Sequence, residues 1–347
     1  MNSSRNDPFS FEVQHRYRDN FARHFLGVTL YLQAEIMNAL TVKHGHSQLR
    51  LNFEPYISVA GDRGARLSDI AHILGISRQA AMQTANRIES IGYLRRETDP
   101  TDGRAKLLVP TPRGKALMVE GTREALHVQS RFDAIVGQPA IRQALSALLM
   151  LHRELNLLFP TEDASQLHLA ALMPRMADYI SERLQTLTMA KGHPQLKRSF
   201  GQVLMYIGPE GGQIQQMANA QDLSKQAISV IASELKDCGY LQRRPDPEDA
   251  RQLVLQFTEL GKQLISDSVE SVDELMAEFT AVIGAEAMDE LIQVSARIYR
   301  TLRLDEEVFG YTESNDINVI ARQLNRQLGE AGAKQLAHLL LSGDPYI

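Results

Sequence analysis

The chain has 347 residues, 44% hydrophobic and 23% charged, the balance of a folded globular protein with room for two or more domains. A net charge of −5 argues against a general nucleic-acid coat, and a single cysteine, Cys238, excludes an internal disulfide. The polar segment Met1–Ser10 has no signal-peptide core and no uncharged apolar run approaches the ~20 residues of a bilayer span, so the expected compartment is the cytoplasm.

In chain order, residues 1–19 are expected to be loosely ordered or to form a short helix around Phe11–Arg18. A long helix, Asn20–His44, is predicted from Phe21, Phe25, Val28, Tyr31, Leu32, Ile36 and Leu40, which recur with helical period. Gly45 ends it, and a second helix is expected over Gln48–Ala60 before Gly61-Asp62-Arg63-Gly64 breaks the chain. Leu67, Ile70, Ala71, Ile73 and Leu74 make a short helix that Gly75 closes, and Ser77 caps the next, Arg78–Ile91. The small Ala71 and the turn residue Gly75 suit two helices crossing through a tight turn, a helix-turn-helix. Tyr93–Glu97 and Ala105–Pro110 read as strands, and the turn formers in Thr98–Arg104 join them into a hairpin wing. Thr111-Pro112 opens a helix over 112–136, followed by another over 139–158.

After the connector Phe159–Asp163 the pattern starts again. Gly92-Tyr93-Leu94 returns 147 positions later as Gly239-Tyr240-Leu241, and the same displacement maps Gly45-His46 onto Gly192-His193. It also maps Ser77 onto Ser224, Gln79-Ala80 onto Gln226-Ala227, Asp99-Pro100 onto Asp246-Pro247 and Arg104 onto Arg251. The second hairpin then spans Leu241–Phe257 and the closing helices run to Leu302. The expected fold is mainly α with small β-hairpin wings: two winged helix-turn-helix units joined by a helical dimerisation-type bundle. The first repeat occupies 1–158 and the second 159–302. A C-terminal helical extension occupies 303–347, with helices near Asp316–Leu328 and Ala331–Leu341 packing back on the bundle.

A helix-turn-helix places the N-terminal residues of its second helix against base edges in the major groove. In the first repeat these are Ser77, Arg78, Gln79, Met82, Gln83, Asn86 and Arg87; Arg suits guanine, and Gln or Asn suits adenine. The second repeat offers Ser224, Lys225, Gln226 and Ser229, with Val230 and Glu234 in place of Gln83 and Arg87, and is the poorer reader. At the wing tips Asp102-Gly103-Arg104 and Asp249-Ala250-Arg251 repeat an Asp-x-Arg pattern. A guanidinium at a protruding tip suits a narrow minor groove, and the aspartate is expected to hold it by a bidentate ion pair. The alternative for any one of these residues is an ordinary solvated surface.

On residues 67–117, LSDIAHILGISRQAAMQTANRIESIGYLRRETDPTDGRAKLLVPTPRGKAL, and less closely on 223–264, the sequence resembles the MarR family of transcriptional regulators. The resemblance covers both halves, from about 20 to 300, and leaves out the tail. It implies a winged unit that binds a near-palindromic operator. Family members are homodimers of single copies, so a tandem duplication implies a single-chain pseudo-dimer able to read an asymmetric operator, with a homodimer of such chains left open. It further implies a repressor released by a small aromatic or phenolic effector held between the winged unit and the helices. On this chain that lining corresponds to Arg16, Arg23, His24, Tyr31 and Arg50, and in the second repeat to Arg175, Tyr179 and Arg183. For each of these an exposed or structural helix position is the competing reading.

No catalytic constellation, cofactor motif or metal-ligand spacing stands out, and an enzyme is not expected. His44 and His46 are remote in sequence from acidic or cysteine neighbours; His46 and His193 recur at a helix-ending turn, where a structural role is expected. Cys238 aligns with Ile91 and reads as a small core residue. Besides a DNA-binding regulator, a winged-helix ligand- or protein-binding module that no longer binds DNA fits the weaker second helix.

Overall fold

The computed structural model describes residues 11–61, 63–157, 167–208, 211–221, 224–245 and 253–304. The expectations for the connector Phe159–Asp163, for the wing tip with Asp249 and Arg251, and for the helices of the 303–347 extension lie outside the described residues. The chain divides into two compact units. One holds residues 1–33 and 126–310; the other is described from Ala34 to Ala125. The division falls inside two helices and does not follow the repeat boundary.

The second of these units is the first winged element. It contains the end of α2 (Phe21–Asn38), a π-turn over Ala39–Lys43, α3 (Glu54–Ala60), α4 (Leu67–Ile73), α5 (Arg78–Ser90) and the start of α6 (Pro112–Val136). A sheet in the order β1 (Ala65–Arg66), β3 (Asp102–Pro110), β2 (Leu94–Asp99) forms the wing. Helix α3 is shorter than the expected Gln48–Ala60. Gln48 has φ +60°, Arg50 is extended, and Leu51–Phe53 forms a 3-10 turn, so the helix starts only where Pro55 fixes φ in its first turn. Gly114 shows how closely α6 approaches the sheet: a Cβ there would stand 2.1 Å from the Tyr93 carbonyl oxygen.

The other unit carries α1 (Phe11–Arg18), the first turns of α2, the end of α6, α7 (Gln138–Glu154) and α8 (Leu169–Ala190). It continues with α9 (Gly201–Leu204), α10 (Ile214–Gln221), α11 (Lys225–Asp237), β4 (Leu241–Pro245), β5 (Leu253–Phe257), α12 (Glu259–Ile283) and α13 (Ala285–Thr301). The second winged element repeats the first down to single bonds. A lone bridge, Gly212 to Leu255, stands where β1 pairs Ala65 with Leu108. The Thr111 hydroxyl donates to Gly92 O at 2.6 Å, and Thr258 does the same to Gly239 O at 2.6 Å.

Helices from both sequence copies form one bundle inside this unit: α7 packs on α13, α8 and α12, and α8 on α12. Phe25 and Val28 of α2, Leu148 of α7, Met173 of α8 and Ile298 of α13 surround a cavity of about 10 Å³, barely the room of one water molecule. Within the helical stretch Glu12–Lys43 one 18-residue segment reaches a mean hydropathy of 1.3, long and apolar enough by composition to cross a membrane. Its apolar residues Phe21, Phe25, Val28 and Leu32 are buried in the bundle.

Candidate nucleic-acid interface

In α5 the buried residues are Ala81, Ala85 and Ile88, spaced 4 and 3 apart on one stripe that faces the core. The opposite stripe, Arg78, Gln79, Met82, Gln83, Asn86 and Arg87, is exposed. Helix α4 supports it through buried Ile70 and Ala71, and Gly75 makes the turn with φ +64°. Ser77 caps α5 by accepting from the Ala80 amide at 3.2 Å, which leaves the positive end of the helix dipole beside the exposed Arg78 and Gln79. Two small inward residues, Ala81 and Ala85, let α5 sit low on its support.

In α11, Ile228, Ala232 and Leu235 repeat the buried stripe, and Ser224 caps by accepting from Ala227 N at 3.1 Å. Lys225 and Gln226 are exposed, Ser229 is half-buried, and the exposed side carries Val230 at 53%. Glu234 pairs with Lys197 at 3.0 Å, so the position of Arg87 in the first repeat is here an acid already matched by a base.

At the first wing the structure corrects one expectation. Asp102 does not pair with the Arg104 guanidinium; its Oδ1 accepts from the Arg104 backbone N–H at 3.1 Å, and its Oδ2 lies 3.6 Å from Arg66. A short carboxylate at a tight turn captures the nearest main-chain donor. The Arg104 side chain is exposed, with no partner among the described residues. The wing is locked instead by Asp99, which sequence reasoning treated only as a turn former. Its carboxylate accepts the Thr101 hydroxyl at 2.7 Å, the Thr101 amide at 2.8 Å and Arg66 Nε at 2.7 Å. The two Thr101 hydrogen bonds, then Arg66, hold the Asp99 pKa down to about 2. Recurrence of Asp at this position in both copies was the available signal.

A second network ties the start of the wing to α6. His46 Nδ1 lies 3.0 Å from the Tyr93 hydroxyl and Nε2 lies 2.6 Å from Glu120. The second repeat has the same relay, His193 to Tyr240 at 3.2 Å and to Asp267 at 2.8 Å. The structural role expected of both histidines is what the contacts show. His44, however, is not remote from acids: Nε2 is 2.8 Å from Glu124, which Lys43 also contacts at 2.8 Å. Lys43, then His44, lower the Glu124 pKa. Cys238 is half-buried against the core of the second winged element, and burial raises its thiol pKa.

The residues aligned with an effector cleft, five in the first repeat and three in the second, are mostly engaged in contacts of their own. Arg16 Nη2 donates to both carboxylate oxygens of Asp273 at 2.5 and 2.6 Å, and Arg183 is paired with Glu278. Tyr31 accepts from Arg131, Tyr179 stacks on Phe279 at 6.2 Å, and Arg175 reaches Leu157 O at 3.3 Å. Arg23 lies over the Tyr17 ring at 5.5 Å. His24 is buried against Tyr299 with Nε2 2.6 Å from Asp19, and burial lowers its pKa. Arg50 is exposed in the other unit. None of the eight lines the apolar cavity.

Comparison with known proteins gives three findings. A family model described as the MarR family matches residues 56–105 and again 196–252. Uncharacterized proteins of Mycobacterium bovis and Mycobacterium tuberculosis are 30% identical over 106 residues, which is 30% of this chain and 71% of theirs. The solved structure of transcriptional regulator Tm0710 from Thermotoga maritima aligns at 18% identity and TM-score 0.28, over 37% of this chain and 89% of that one.

Proposed function

Because the chain belongs to the MarR family of transcriptional regulators, we propose that it is a sequence-specific DNA-binding regulator in which one polypeptide supplies both operator readers. The observation that carries this reading is the outward stripe of α5. Six exposed side chains, five of them polar or cationic, stand opposite a buried Ala81–Ala85–Ile88 stripe, beside a wing whose exposed Arg104 is held at a clasped tip. Regulators of this kind act without catalysis, and the location implied is the cytoplasm. The first repeat reads through Ser77, Arg78, Gln79, Met82, Gln83, Asn86 and Arg87, with Asp102 setting the turn that presents Arg104. The second reads more weakly through Ser224, Lys225, Gln226 and Ser229, with Asp249 and Arg251 at its wing. Packing of α7 on α13 within one compact unit supports a pseudo-dimer, because it joins the closing helices of both copies.

In this reading the protein is a repressor, and an aromatic or phenolic acid that displaces one of the carboxylates now paired with arginine, such as Asp273 on Arg16 or Glu278 on Arg183, releases the DNA. The test is an electrophoretic shift of the chain's own upstream region, with the mass of the complex measured by light scattering. One chain per duplex, and a loss of about tenfold in affinity for Arg78→Ala or Arg104→Ala, are expected. No retardation at low salt refutes DNA reading and favours an interaction module; two chains per duplex refute the pseudo-dimer.

A further inference from the structure

The exposed stripe of α5 is not a row of independent side chains. Arg96, on β2, lies across it. Its Nη1 donates to Glu89 Oε2 at 2.5 Å, its Nη2 donates to Asn86 Oδ1 at 2.6 Å, and the same nitrogen stands 3.7 Å from the Met82 sulfur. Glu89 and Arg96 are each about one-third exposed, so the pair is fixed at the surface within reach of solvent and ligand. A guanidinium carries only donors, so the amide atom it meets is the oxygen of Asn86. The Asn86 Nδ2 is then the free end, with no partner among the described residues.

An unrestrained asparagine reads adenine by donating to N7 while accepting from the N6 amino group. That pairing needs the amide oxygen. Here Oδ1 is held by Arg96, and a base amino group approaching its remaining lone pair would meet the guanidinium as well. What Asn86 presents outward is its Nδ2 donor, beside a guanidinium whose charge Glu89 matches. Guanine, with two acceptors at O6 and N7 and no donor between them, is the base edge that fits. We propose that Arg96 is a positioning residue that fixes Asn86 as a donor-only reader and so biases the first repeat toward guanine over adenine at one base pair. This rests on the DNA-reading assignment above and deepens it.

The second repeat cannot make the same lock. Arg243 stands at the place of Arg96, but Glu89 is replaced by Lys236 and Asn86 by Ser233. Two cations replace an ion pair, and the amide is missing. The bias therefore belongs to one half-site, and the operator is asymmetric at that base pair.

The full-length chain and its variants are used to select duplexes from a random pool at one salt concentration, with folding of each variant checked by thermal melting. Wild type enriches guanine at one base pair of one half-site. Arg96→Met moves the guanine-to-adenine ratio at that base pair by about tenfold toward adenine and leaves the other positions as they were. Asn86→Ala abolishes the preference there. Arg96→Lys keeps the charge beside Glu89 but cannot hold two partners in a fixed fork; it gives a smaller swing and carries the test if Arg96→Met fails to fold. A general loss of stability would weaken all sequences alike and move no ratio. Unchanged ratios in the folded Arg96 variants, or an unchanged motif in Asn86→Ala, overturn the positioning role. A wild type that enriches nothing overturns the DNA-reading assignment itself.

Discussion

At the residue scale, the wing depends on one carboxylate more than on its protruding arginine. Asp99 is buried, and three donors converge on it from Thr101 and Arg66. Its pKa falls from an ordinary 3.8 to about 2. A carboxylate held down in the folded state stabilises above its unfolded value, and that contribution disappears as pH drops from 3.8 toward 2. The expected result is that the Thr101 amide, protected from hydrogen exchange at pH 5, loses protection across that window while the Leu108 amide in the sheet interior keeps it. Asp99→Ala should produce the same loss at pH 5, about tenfold for the single bond removed. Protection at Thr101 that ignores both the pH and the substitution would show that the clasp does not hold the tip.

At the element scale, α5 and α11, the helices proposed to read DNA, share a buried stripe and differ on the outward one. Glu234, paired with Lys197, sits where the first repeat has Arg87. An exposed pair of this kind adds little stability, so Glu234→Arg should leave the melting temperature within a degree or so. It adds a cation to the reading side, and the salt dependence of DNA binding should steepen by about one counterion. An unchanged slope would mean that this face of α11 does not meet the phosphates. How much of these elements was legible follows from the same comparison. Caps such as Ser77 and Ser224, the inward alanines and the Gly75 turn act within a few residues, and the repeat displayed them twice. Arg66 on Asp99, 33 residues apart, and Glu124 on His44, 80 apart, exist only once sheet and helix have packed. Arg96 on Asn86, though just 10 residues apart, depends on strand β2 turning back beside α5. Local patterning carries no record of such partners, so the clasps escaped while the helices did not.

At the scale of the whole molecule, the sequence copies and the compact units part company, and the reason is area. The first turns of α2 and helix α7 carry Phe25, Val28, Leu148 and Leu151, more apolar surface than one winged element can cover. They find cover on α8 and α13, which belong to the other copy but to the same unit. Covalent linkage makes this pairing intramolecular, and its stability no longer depends on protein concentration. Gly27 marks the tightest point. A Cβ there would stand 2.5 Å from Cε2 of Tyr299, whose ring is buried and also rests against His24 at 4.8 Å. A longer side chain must push against this buried ring, so Gly27→Leu should cost about 1–3 kcal/mol in urea unfolding. Because α2 and α13 lie in the shared bundle, the loss should fall in the transition of the unit that contains the second winged element, even though residue 27 belongs to the first sequence copy. Exchange protection in the Ala34–Ala125 unit should be little changed. If instead only that unit is weakened, the bundle is not the joint between the copies, and the single-chain dimer loses its physical basis.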